Sequence, residues 1–149
     1  MRILPLLALL LGACTIEDRT PAGSRADEAA IRSTVAAYYR SVAEGDVRGA
    51  RQALWDSVLV VSEQPGRWQG IRGADAWVDS LAAQRQALPP GAGGIEAMRL
   101  DVRQEGNVAA VWTTLRGAGT ARSDHLVLTR DGDVWRIVSL TLAVGRREG

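Results

Sequence analysis

Residues 121–138 read ARSDHLVLTRDGDVWRIV. Two runs of aliphatic, β-branched and aromatic residues flank Asp131-Gly132-Asp133, a polar, glycine-containing turn of the kind that closes an antiparallel hairpin. The same pattern extends on both sides. A strand over 95–104 leads into Glu105-Gly106-Asn107, one over 108–116 into Gly117-Ala118-Gly119, one over 121–130 into Asp131, and one over 134–144 closes the run. Four long antiparallel strands are therefore expected. Strict alternation sets Leu126 and Leu128 against Val127, and Leu140 and Leu142 against Trp135 and Ile137, so apolar side chains fall on both sheet faces. One face is expected to meet helices and the other a second subunit, because an uncovered apolar sheet is a liability.

The helices lie upstream. Residues 27–44 place Ile31, Val35, Tyr38 or Tyr39, and Val42 at helical spacing, and Gly45 stops the helix. Asp46 can cap a second, short helix over 47–54. The β-branched run 58–62 predicts a strand, Gln64-Pro65-Gly66-Arg67 a turn, and 68–71 a short return strand. A third helix over 74–88 carries Trp77, Leu81 and Leu88 on one stripe and ends at Pro89-Pro90-Gly91. Helices followed by a run of strands indicate an α+β fold.

Composition narrows the function. Of 149 residues, 46% are hydrophobic and 23% charged, which supports one compact domain with a sizeable core. All 18 basic residues are arginine, against 17 acidic ones, so nucleic acid is not an expected partner. A single Cys cannot form an internal disulfide, and a single His excludes His-rich metal sites. No phosphate-cradling glycine loop follows a strand, since Gly91-Ala92-Gly93-Gly94 follows a helix. No metal and no cofactor is expected.

The first residues read as an address. Arg2 precedes the apolar run ILPLLALLL over 3–11, shorter than the roughly 20 residues a membrane span needs, which predicts a secretion signal. Leu11-Gly12-Ala13-Cys14 resembles the bacterial lipobox. That resemblance implies a signal peptide over 1–13, lipidation of Cys14 by diacylglyceryl and palmitate-type chains, and stable attachment, since two acyl chains suffice. Thr15 in place of Asp implies sorting to the periplasmic face of the outer membrane in the cell envelope. The alternative is ordinary cleavage with Cys14 a free thiol, or an uncleaved buried cysteine. Residues 14–25 form a polar tether spanning on the order of 20 Å, residues 26–145 the domain, and residues 146–149 a tail.

Several local sequences resemble the nuclear transport factor 2-like superfamily, which includes SnoaL-like proteins and ketosteroid isomerases. Tyr38-Tyr39-Arg40-Ser41-Val42-Ala43-Glu44-Gly45-Asp46 is similar to its first helix and Gly-Asp turn, and Leu54-Trp55-Asp56-Ser57-Val58 to the entry of its first strand. Trp68-Gln69-Gly70-Ile71-Arg72-Gly73-Ala74-Asp75-Ala76 resembles the start of its third helix, and the 130–138 hairpin its closing strands. The resemblance implies a cone-shaped fold, with three N-terminal helices packed on a curved antiparallel sheet. By the ketosteroid-isomerase pattern, Tyr38 takes the oxyanion-donor position, Ser62 or, with a one-residue slip, Glu63 the base position, and His125 or its neighbour Asp124 the acid position. Only one of Asp124 and His125 can point inward. For Tyr38 the alternative is a core aromatic, for His125 a half-buried strand residue, and for Asp124 with Arg122 a surface ion pair.

Five Trp and no Phe form a second constellation. Trp55, Trp68, Trp77, Trp112 and Trp135 can floor a pocket for a flat apolar ligand, or can replace Phe in the core. Three readings follow: an envelope lipoprotein binding a small apolar ligand or protein partner without catalysis, a SnoaL-like isomerase, dehydratase or cyclase, and a structural module that homodimerises through its sheet.

Overall fold

The computed structural model describes residues 24–64, 67–88, 94–117, 120–143 and 146–147. The expected signal peptide, Cys14 and nearly all of the expected tether lie outside the described residues, as do Pro65, Gly66, the 89–93 stretch and Ala118-Gly119.

The first helix, α1 (Arg25–Glu44), begins where Ser24 accepts a hydrogen bond from the Asp27 backbone N–H, and Asp27 and Glu28 place negative charge in its first turn. Its buried stripe is Ile31, Val35, Tyr38 and Tyr39. Gly45, at φ 77°, ends the helix in the left-handed conformation. Asp46 then caps α2 (Val47–Gln52), its side chain accepting from the Gly49 N–H at 3.0 Å. At Gly49 an added Cβ would displace the capping Asp46 carboxylate and Ser41 Oγ.

Next come β1 (Leu54–Gln64), β2 (Arg67–Arg72) and α3 (Ala74–Ala87), followed by β3 (Ala97–Glu105), β4 (Val108–Gly117), β5 (Thr120–Asp131) and β6 (Val134–Leu142). Two helices therefore precede the sheet and the third follows its first hairpin, so the expected three N-terminal helices become two plus one inserted. The strand order is β2-β1-β6-β5-β4-β3. All these pairings are antiparallel except β1 with β6, which the antiparallel expectation missed. A two-residue β7 (Arg146–Arg147) pairs with Thr120 and Ala121 where a tail was expected.

The alternation in β6 also departs from expectation. Val127 pairs with Ser139 and Leu128 with Ile137, so Val138 is an extra residue in a bulge. The bulge brings Leu140 onto the same inner face as Trp135 and Ile137, and all three are buried. A second register shift separates Leu54 from Leu59 on β1. The inner face is apolar, with Val58, Val60, Ala109, Val111, Leu115, Leu126, Leu128 and Leu140 packed against α1 and α3. Each fully buried aliphatic side chain contributes about 1.5–3 kcal/mol. The outer face exposes Trp68 (59%) and Trp112 (45%) and lacks the two leucines that strict alternation assigned to it.

Candidate functional site

The inner face and the helices do not close on each other completely. At the end of the sheet near the Gly45-Asp46 turn they leave a cavity of about 600 Å³, within the range of small-molecule sites. Its apolar wall comes from Val42 of α1, Trp77 and Leu81 of α3, Ile95, Leu115 of β4 and Leu142 of β6. Its polar side chains include Tyr38, Arg122, Arg85, Arg116 and Asp46, together with Tyr39, Ser41, Gln84 and Gln86.

Helical spacing positions Tyr38 and Tyr39 together on the buried side of α1, their rings meeting edge to face with centroids 5.1 Å apart. The Trp77 indole N–H, from the first turn of α3, donates to the Tyr38 hydroxyl at 2.9 Å. That bond uses a lone pair on Tyr38 and leaves its O–H without an acceptor among the described residues. Tyr39 is committed elsewhere. Its hydroxyl donates to Asp124 Oδ2 at 2.9 Å and lies 3.3 Å from Thr113 Oγ1. Burial pushes both phenols far above the usual tyrosine range, with the Asp124 charge adding to the effect on Tyr39, so both remain protonated at any physiological pH.

Asp124 lies on the inner face of β5 behind this layer, its side chain fully buried. Arg122, two residues away on the same face, brings Nε to 3.2 Å from Asp124 Oδ2 as an ion pair without hydrogen-bond alignment. Burial raises the Asp124 carboxyl, while Arg122, the Tyr39 hydroxyl and the backbone at Ala143 pull it down. The expected surface ion pair is thus an internal one. Arg122 lines the cavity and Asp124 does not.

The structure separates residues that the sequence had grouped. Tyr38 and Trp77 meet at the cavity. His125 points to the outer face, stacked on Trp112 with ring centroids 4.8 Å apart and its Nε2 without a hydrogen-bond partner among the described residues. Glu63 is exposed and paired with Trp68, at the opposite parity from buried Val58 and Val60, so the base position on the inner side belongs to half-buried Ser62. Four indoles are not pocket lining. Trp68 and Trp112 are exposed, Trp55 is half-buried outside the cavity, and Trp135 is core, with its N–H donating to Asp27 at 3.3 Å. Arg122, Tyr39 and Thr113 were missed as site residues. Their signal was parity, since Arg122, Asp124, Leu126 and Leu128 fall on one face of a single strand.

Chemically the cavity offers donors: the Tyr38 O–H and the Arg122 guanidinium. Asp46, the one lining carboxylate among the described residues, caps α2. Among the described residues no group of three or more His, Cys, Asp or Glu side chains is placed to hold a metal ion.

Comparison with known proteins agrees with the geometry. A nuclear transport factor 2-like protein of unknown function from Silicibacter pomeroyi is similar over 85% of this chain and 100% of its own, at 20% identity and TM-score 0.66. One from Shewanella baltica, also of unknown function, covers 85% and 99% at 13% identity and TM-score 0.64. A "putative dehydratase" of the same fold family from Streptomyces avermitilis covers 79% and 95% at 18% identity and TM-score 0.60. At these identities the likeness concerns the fold. Among curated proteins no match is found. The family model described as "Putative lumazine-binding" matches residues 26–141, nearly the whole domain, and the chain belongs to that family, within the nuclear transport factor 2-like fold.

Proposed function

We propose that the chain is an envelope lipoprotein whose domain binds a small, largely apolar and flat molecule in the cavity between α1, α3 and the inner sheet face, without catalysis. The observation that carries the reading is the cavity itself: about 600 Å³, apolar-walled, with a donor hydroxyl set at its floor by the Trp77–Tyr38 hydrogen bond. Asp124 does not line the cavity and is engaged through Oδ2 with Tyr39 and Arg122, and Asp46 caps the α2 backbone, which favours binding over proton transfer. The lumazine in the family's name, a flat bicyclic ring bearing carbonyl acceptors, has a suitable shape.

The test uses the neutral dye phenylnaphthylamine, which fluoresces on entering apolar sites, with lumazine as competitor. The full chain is expected to bind the dye, lumazine to displace it, and Leu81→Trp, which fills the cavity, to abolish binding. Dye binding unchanged by Leu81→Trp overturns the reading. Anchoring rests on the lipobox resemblance at Leu11-Gly12-Ala13-Cys14. Incorporation of a labelled fatty acid that Cys14→Ser eliminates tests it. Exposed Trp68 and Trp112 favour homodimerisation through the outer face, which sedimentation of Trp112→Glu tests by a shift to monomer.

A second reading, a SnoaL-like isomerase or dehydratase, is favoured by one observation, the Tyr38 O–H poised as an oxyanion donor. It requires a base facing the cavity, for which Ser62 is a poor substitute at neutral pH.

A further inference from the structure

Resting on the cavity reading, the geometry points to the class of ligand: we propose that the cavity takes an apolar organic acid, its anionic group held between the Arg122 guanidinium and the Tyr38 hydroxyl. Three observations lead there. Internal bonds leave the Tyr38 hydroxyl as a donor toward the cavity. Trp77 donates into the Tyr38 oxygen, so what Tyr38 has left to offer a ligand is its O–H. Tyr39, which could have accepted from a ligand, spends its hydroxyl on Asp124 and Thr113.

The second observation is the form of the Arg122–Asp124 pair. Asp124 is fully buried, whereas the Arg122 side chain is 39% exposed and faces the cavity. The contact uses Nε, and the rest of the guanidinium has no other partner among the described residues. A fork with free N–H groups in a mostly apolar chamber suits a planar or trigonal oxyanion, and such charge-assisted bonds are the strong ones. Asp124, behind it, supplies the counter-charge.

The third observation is the sign of the wall. Arg85 and Arg116 line the same cavity as Arg122, against Asp46 as the lining carboxylate, in a chain whose basic and acidic totals nearly cancel. Basic side chains thus outnumber the acidic one in the lining among the described residues, with Arg85 and Arg116 also bonded elsewhere, Arg85 to the Ala43 carbonyl. The apolar residues Trp77, Leu81, Leu115 and Leu142 supply the complementary surface for the ligand's hydrocarbon or aromatic body.

The experiment uses two dyes that share one skeleton. Anilinonaphthalene sulfonate and phenylnaphthylamine differ by the sulfonate, and both brighten in apolar sites. The full chain is expected to bind the sulfonate about tenfold more tightly than the neutral amine, and Arg122→Gln to remove about that factor for the sulfonate while leaving the amine within about twofold. Tyr38→Phe, which keeps the fold's shape, is expected to weaken the sulfonate about threefold and the amine not at all. It decides the matter if Arg122→Gln, which leaves Asp124 without its cation, does not fold. Equal affinities for the two dyes, or equal losses in the variants, overturn the acid class and leave the cavity reading standing. Binding of both dyes that persists in Leu81→Trp takes down the cavity reading and this inference together.

Discussion

The two faces of the sheet are built from the same strands, and they differ in what surrounds their polar groups. On the inner face of β5, Asp124 is enclosed by Tyr39, Thr113 and Arg122, with Leu126 and Leu128 continuing the face as core. One residue on, His125 belongs to the outer face, where it stacks on half-exposed Trp112, which carries the Arg103 guanidinium at 5.4 Å from its ring centroid. Chemistry that looks alike in the sequence, an acid beside an imidazole, is divided by the pleat into an internal network and a surface stack. The difference teaches that parity, more than residue type, assigns a role on this fold.

Stability measurements test that contrast, beginning with the core. Leu126→Ala is expected to cost about 3 kcal/mol in urea unfolding, while its outward neighbour Val127→Ala costs under about 1 kcal/mol. Equal losses would dissolve the distinction between the faces. Next in size, Asp124→Ala strands Tyr39 and removes the counter-charge of a half-exposed arginine, at about 2 kcal/mol. His125→Ala is expected to stay below about 1 kcal/mol. Tyr39→Phe removes one buried hydrogen bond without emptying volume, and about 1 kcal/mol is expected.

The smallest effect is a slope against pH. Burial raises the folded-state pKa of Asp124, so between the unfolded value near 4 and the folded value the native state binds more protons than the unfolded chain. Stability from this group is fully present below about pH 4 and declines as pH rises through the folded value. Asp124→Asn is therefore expected to gain relative to the unaltered chain as pH is raised from about 4 to 7, read as the difference in urea midpoints. A difference that shrinks over that range would mean that Arg122 and Tyr39 outweigh burial.

Much of this was legible beforehand. The α1 stripe, the Gly45-Asp46 turn and the four long strands were set by helical spacing, a left-handed glycine and turn chemistry, which are local. The parallel pairing of β1 with β6 was not, because it joins the first strand to a late one and has no local signature. The bulge at Val138 was hidden for a related reason: alternation assumes an unbroken ladder, and one extra residue inverts every side chain beyond it. That inversion moved Leu140 from the outer face, where it had been part of the case for a covering subunit, into the core. At the site, Tyr38 and Trp77 were visible as apolar-face aromatics, but their hydrogen bond joins two helices separated by a hairpin. The choice between Asp124 and His125 needed the register of the whole sheet.

The proposed functional surface is the cavity on the inner side, and the five tryptophans provide reporters on both sides of the sheet. Indole N–H resonances of the full chain, followed by heteronuclear NMR during addition of anilinonaphthalene sulfonate, test it directly. The account predicts that the Trp77 resonance moves, since its N–H bonds the Tyr38 hydroxyl at the cavity floor, while those of Trp68 and Trp112 hold still. Movement of Trp112 and Trp68 with Trp77 unchanged would place binding on the outer face and contradict it.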